Sequence, residues 1–335
     1  MKLRIPSKIL LDLLENKKHR IFPPGFRNRR PLSLFYFLTS LLFCFILLSI
    51  NCKKKNNYPI TTGLEGGTYY QFAKSMNDLP SFEFDVLKSE GSIDNINFIS
   101  EKKAKLGLCQ LDILQNAFIG NQKAKDNVKV ILPLYNEEAH IIARKEIKSL
   151  KDLFGKKVSI GPDDSGNKIT SLMFLGFTGL HAGHLTFLEL NTDVALEKLR
   201  KNELDAVIII AGAPVKILSS IPESDKDSIH LIEFTDGIYD SLSQGSLYYK
   251  KAEIPANTYK WQKEAVKTVS VTSVLIGSSD IKDEEALSLS LEIYENIEIL
   301  SKKHEKWKSI NKSQLRDLHQ RNPDLFHPYI NKMIF

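Results

Sequence analysis

The chain has 335 residues, of which 42% are hydrophobic and 26% charged, an ordinary globular composition with room for two domains or one large one. Its formal net charge of +6 is uneven: the segment before Cys52 holds nine Lys/Arg against Asp12 and Glu15, a net +7, so the remainder carries −1. The basic balance therefore belongs to the N-terminal leader, and nucleic-acid binding by the folded part is excluded as a reading of charge. Of three cysteines, Cys44 lies in an apolar leader and Cys52 just after it. Cys109 is left alone in the globular part, which rules out a disulfide framework within one chain. Cys/His spacing for zinc is lacking; His181 and His184 stand three apart with no nearby thiol or carboxylate, and are read as loop or surface residues. No metal and no cofactor is expected.

Arg27, Arg29 and Arg30 precede a nearly continuous apolar run from Leu32 to Ile50. A basic stretch followed by an apolar one is an export signal, with the charges held on the cytoplasmic side. The run ends in Leu48-Ser49-Ile50-Asn51-Cys52, which resembles a lipobox, the site where a lipoprotein signal peptide is cut and its Cys lipidated; Asn51 stands where Ala or Gly is usual. Residues 1–51 are read as signal peptide and Cys52 as the lipidated residue. The alternative is an uncleaved anchor, since about 19 apolar residues just suffice to span a bilayer. Both readings put the globular part on the far side of the membrane from the cytoplasm.

Residues 52–57 form a tether. Beyond it, short apolar runs alternate with amphipathic ones. Strands are predicted at Ile60–Thr62, Phe82–Leu87, Leu106–Cys109, Val128–Tyr135, Ala139–Ala143, Val158–Ile160, Thr186–Leu190 and Ala206–Ile210. Helices are predicted at Thr68–Leu79, Ser92–Glu101, Asn167–Gly176, Thr192–Lys201, Asp280–Lys303 and Gln314–Leu318. The alternation implies α/β lobes with largely parallel sheets.

Three turns lead from strand to helix: Gly63-Leu64-Glu65-Gly66-Gly67-Thr68-Tyr69-Tyr70, Ser89-Glu90-Gly91-Ser92 leading to Asn95, and Gly161-Pro162-Asp163-Asp164-Ser165-Gly166 leading to Lys168 and Thr170. Glycines admit close backbone approach, and the free N–H groups of a helix start attract anions. Taken singly, each turn reads more readily as an ordinary Gly-rich connection with a helix cap. The first is not a P-loop, because no Gly-Lys-Ser/Thr follows, and its spacing is wrong for a dinucleotide fingerprint.

Taken together, the mature chain resembles the TAXI family of TRAP-transporter solute receptors. The resemblance rests on several segments in order: Ile60 to Tyr70, Glu90-Gly91-Ser92 with Asn95-Ile96, Leu106 to Asp112, Leu150 to Gly166, Asp205 to Pro214, Ile254 to Tyr259, and His327-Pro328. It covers about Ile60 to Ile330; each motif alone is weak. It implies a type II periplasmic-binding-protein-like α/β fold, with two α/β lobes joined by a hinge and a ligand cleft between them. Lobe 1 would be 58–141 with 250–335, and lobe 2 would be 142–249. The implied activity is capture of a small organic anion, a glutamate-like amino acid or dicarboxylate, and its delivery to TRAP membrane subunits, without catalysis. Thr68 and Tyr69 would contact the ligand from the first turn, Ser92 and Asn95 from the second, and Gln110 from its strand end. Ser165, Gly166 and Thr170 would hold a carboxylate, and Gly212 would admit close backbone approach. Glu65, Asp163 and Asp164 depart from the pattern; negative charge beside a carboxylate site disfavours a bare anion and favours a ligand that also carries an ammonium. His140 is left without a role. Two other readings stand beside this one: a ligand-binding sensor or surface lipoprotein without a transporter, and an enzyme on a bilobal fold. The last lacks a G-x-S-x-G elbow, and Cys109 has no evident basic partner.

Overall fold

The computed structural model describes residues 56–234, 237, 240 and 248–333. The leader, Cys52 and the first part of the tether lie outside the described residues. No described helix is long and apolar enough to cross a membrane.

Ten strands form one continuous sheet: β1 (Asn56–Thr61), β2 (Phe82–Leu87), β3 (Leu106–Gln110), β4 (Val128–Arg144), β5 (Lys157–Ser159), β6 (Thr186–Leu188), β7 (Ala206–Ala211), β8 (Ile229–Leu231), β9 (Tyr249–Ile254) and β10 (Val266–Ser278). The order is β2-β1-β3-β10-β4-β7-β5-β6, with β8 on β4 and β9 on β10. A strand from the end of the chain thus inserts between β3 and β4, the order of the type II periplasmic-binding fold. The outer pairs β1–β2, β1–β3, β5–β6 and β5–β7 are parallel. Every pair made by β4 or β10 is antiparallel. The expectation of largely parallel sheets therefore holds at the two ends and fails at the centre, where strands cross between the halves.

Apolar packing divides the sheet in two. One core joins β1–β3, the first part of β4 and the last part of β10 to the C-terminal helices; Phe72, Leu108, Leu132, Leu275 and Trp307 are all fully buried in it. Two more cores cover the faces of the other half, one around Val158, Phe174 and Ile208, the other around Leu199, Val207 and Leu218. Tyr249, Val269 and Val271 belong to the former, and Ile254, Tyr259, Trp261 and Val266 to the latter. The side chains of β9 and early β10 thus pack in the cores of the second half, and β10 joins the first core from Val274 onward.

Several elements differ from their sequence reading. β1 begins at Asn56, inside the expected tether, and Tyr58 packs its ring 5.7 Å from Phe82 and 6.4 Å from Phe84. The runs Val128–Tyr135 and Ala139–Ala143 are one strand of 17 residues, carried straight through Asn136-Glu137-Glu138. The long C-terminal helix is broken at Asn296 into Asp283–Glu295 and Ile297–Ser301. The first of these opens with three acids, where the positive helix end favours them. The C-terminal segment is tied back by Trp307, which stacks on Phe72 at 4.3 Å and donates its indole N–H to Ser75 at 2.9 Å.

Candidate ligand cleft

A cavity of about 390 Å³ opens at the carboxyl ends of the parallel strands, within the range of small-molecule sites. Its wall combines Gly63–Tyr69, Glu90–Ser92 and Gln110 with Pro162, Ser165–Asn167, Asn191–Asp193 and Ile209–Ala211. Four helices start at this wall: Thr68–Ser75, Ser92–Ser100, Gly166–Phe177 and Thr192–Arg200. The first two follow Gly67 and Gly91 and have no side-chain cap, so their first N–H groups are left for a ligand or water. Gly91 has φ 123°, a backbone region that glycine adopts at little cost and other residues do not.

The expected site residues fall into two sets. Thr68, Tyr69, Ser92, Gln110, Ser165 and Gly166 line the cavity. Thr68 donates its hydroxyl to the Gly212 carbonyl at 3.0 Å, a bond between the two halves. The Ser92 hydroxyl accepts the Gln110 N–H at 3.1 Å and donates to its side-chain oxygen at 3.3 Å. Ser165 caps its helix, accepting the Lys168 N–H at 3.2 Å and donating to the Pro162 carbonyl at 2.7 Å. At Gly166 the backbone lies so close to the first half that an added Cβ would meet the Ser92 side chain at 2.8 Å and collide with the Gln110 side-chain oxygen.

Asn95, Thr170 and Gly212 stand behind the wall. Asn95 is fully buried: it accepts from the hydroxyls of Thr61 and Ser89, each at 2.6 Å, and donates to the carbonyls of Thr62 at 2.5 Å and Leu108 at 2.6 Å. With four partners it is a pin between the Ser92–Ser100 helix and the strand ends, with no polar group left for a ligand. Thr170 donates to Asp112 at 2.9 Å and accepts from Gln110 at 3.3 Å. Gly212 admits Tyr135, whose ring a Cβ would meet at 2.7 Å. Asn167, absent from the sequence-based set, does for the other half what Asn95 does for the first. It donates to the carbonyls of Ile160 at 2.7 Å and Ile208 at 2.9 Å, and accepts the Ile210 N–H at 2.6 Å.

Of the exposed acids around the cavity, Glu65 and Asp163 are paired with lysines, while Glu90 and Asp193 also line it. Glu65 pairs with Lys88 at 2.7 Å. Lys168 bonds Asp163 and lies 2.7 Å from Glu189. Three carboxyls are buried deeper. Asp112 accepts from Thr170, from Tyr249 at 2.8 Å and from the Ile113 N–H at 2.9 Å; burial raises its pKa and these bonds lower it. Glu138 bonds Lys306 and accepts the Ala213 N–H at 2.9 Å. Glu137 lines the cavity, and burial drives its pKa well up. It is the functional candidate missed in the sequence, where a Glu-Glu pair reads as surface. Beside it on β4, His140 is fully buried: Nδ1 lies 2.9 Å from the Glu138 carbonyl, and Nε2 2.8 Å from the Tyr259 hydroxyl, which also accepts the Val215 N–H at 3.1 Å. Desolvation pushes its pKa down to about 4. Cys109 is buried in β3, and burial raises its thiol pKa well above the usual range.

A cleft between two α/β halves, floored by crossing strands and walled by helix starts, is an architecture suited to holding a small ligand. Residues 60–328 match the model of the NMT1-like family, and the chain belongs to that family. Among solved structures, the GluR0 ligand-binding core from Nostoc punctiforme, in complex with glutamate, is 16% identical with a TM-score of 0.47 over 75% of this chain and 98% of that one. The amino acid ABC transporter substrate-binding protein AbpA from Streptococcus pneumoniae, bound to L-arginine, is 14% identical with a TM-score of 0.45, covering 76% and 97%. The alkanesulfonate-binding protein SsuA from Xanthomonas axonopodis pv. citri, bound to MOPS, is 12% identical with a TM-score of 0.40, covering 82% of each chain. Overlaps this loose carry no weight in the choice of ligand.

Proposed function

We propose that this chain is the extracytoplasmic receptor of a solute-transport system of the TRAP type, in its TAXI branch. It would capture a small organic anion, such as a glutamate-like amino acid or dicarboxylate, and hand it to membrane subunits. The observation that carries this reading is the convergence of four helix starts, three of them without side-chain caps (Thr68, Ser92 and Thr192), on one cavity. Helix starts present N–H groups and positive dipole ends, which suit a carboxylate. The ordered motifs from Ile60 to Pro328 support the TAXI assignment, and the basic–apolar leader ending at Cys52 supports a lipid-anchored, extracytoplasmic position. Capture would proceed by closure of two lobes, drawn in the sequence at 58–141 with 250–335 and at 142–249, about a hinge in β4 and β10.

The test is a thermal-shift panel of amino acids, dicarboxylates and monocarboxylates on the purified protein. A ligand at about 100 times its Kd adds about 2.7 kcal/mol of stability. A stabiliser whose effect disappears in Ser92→Ala and Ser165→Ala supports the reading. A folded protein that no anion stabilises, and that carries none after purification, refutes it.

A further inference from the structure

Glu137 is 2% exposed, on the wall of the cavity, and one of its carboxylate oxygens, Oε1, has no hydrogen-bond partner. A buried polar atom without a partner is costly, so native proteins rarely keep one that serves nothing. The neighbouring carboxyls do not share the condition, although the buried Tyr135 hydroxyl does: Glu138 is held by Lys306 and the Ala213 N–H, and Asp112 by Thr170, Tyr249 and the Ile113 N–H. Burial, Asp112 and Glu138 all disfavour the charged form of Glu137, while the Tyr69 hydroxyl and Lys306 favour it. The one lysine on the cavity wall, Lys88, is already paired with Glu65. The cavity wall thus holds both helix starts without side-chain caps and a buried carboxyl with one oxygen free of partners.

We infer that Glu137 receives the ammonium of the ligand, so that the natural ligand is an amino acid whose carboxylate lies on the helix starts, and not a dicarboxylate or 2-oxo acid. This rests on the receptor reading above and narrows it. It also relocates the acidic preference: Glu65 and Asp163, paired with lysines at the surface, are not its source.

The experiment uses the full chain in detergent, with the twenty L-amino acids and three deaminated counterparts as probes: 2-oxoglutarate, pyruvate and 4-methyl-2-oxopentanoate. Mass spectrometry of the denatured sample identifies any compound carried through purification. Expected are stabilisation by one or more amino acids, a Kd at least about tenfold weaker for the matching 2-oxo acid, and loss of that discrimination in Glu137→Gln. Unliganded Glu137→Gln should melt no lower than the parent, which separates lost recognition from lost folding. Equal binding of amine and oxo acid, a carried ligand without an amine, or unchanged discrimination in Glu137→Gln each overturns the inference while leaving a receptor. Absence of any bound or stabilising compound overturns the receptor reading itself, and this inference with it.

Discussion

Asn95 and Asn167 show how single side-chain amides set the shape of a cleft, Asn95 from behind its wall and Asn167 from within it. Each closes strand-end carbonyls against the start of a helix, so removing one orphans several backbone groups at once. Asn95→Ala should lower stability by about 2–4 kcal/mol in denaturant titration, whereas Thr192→Ala, at a half-buried helix start where no side-chain bond is made, should cost under about 1 kcal/mol. His140 acts through pH. Its folded pKa of about 4 lies below the ordinary 6.5, so its neutral form belongs to the folded state. The corresponding stability is complete above pH 6.5 and is lost as pH falls toward 4, on the order of 3 kcal/mol in all. Asp112 and Glu137, with raised values, act in the opposite direction. Comparing urea unfolding at pH 7.5 and pH 4.5 in the parent and His140→Gln isolates the histidine: the variant should lose less on acidification. Little of this was legible in the sequence. Asn95 was picked out by its place in a motif, but nothing in a linear chain tells an amide facing a ligand from one facing carbonyls a layer below. Glu137 was passed over because a carboxylate between two apolar runs has the composition of a loop.

At the scale of elements, the central strands were the hardest to read. In β10, Thr268, Ser270, Thr272 and Ser273 are as buried as the valines beside them, so the strand shows neither clean alternation nor an unbroken apolar run. In β4 the polar trio Asn136-Glu137-Glu138 looks like a break. The strand continues through it because β10 pairs with all three residues and β7 with Glu138, and Lys306 meets the Glu138 charge. The outer strands, paired in parallel and followed by amphipathic helices, were placed to within a few residues, since there the pattern has one buried face. The Lys306–Glu138 bond makes a prediction of its own. Lys306→Met strands a buried carboxylate and should cost about 3 kcal/mol or more; adding Glu138→Gln should recover much of that loss, a coupling that a double-mutant cycle in guanidinium will measure.

Across the whole molecule, polar bonds join the halves over the cleft: Thr68 to Gly212, and Gln110 to Thr170 to Asp112. The close approach at Gly166 depends on the lack of a side chain there. Gly166→Ala should hold the halves apart and weaken binding of any cleft ligand at least about tenfold with little change in melting temperature, because the strain is relieved by opening; small-angle scattering would register a larger radius of gyration. One consequence of the strand order concerns export. Because β10 lies between β3 and β4, the first half cannot complete its sheet until residues 266–278 have arrived. A polypeptide threading outward from its N-terminus therefore exposes the flanks of β3 and β4 for nearly the whole passage. For the exported receptor proposed above, early locking into a folded plug inside the translocation channel is avoided by topology alone, and the interval in which chaperones must shield these edges is set by the time residues 145–278 take to emerge.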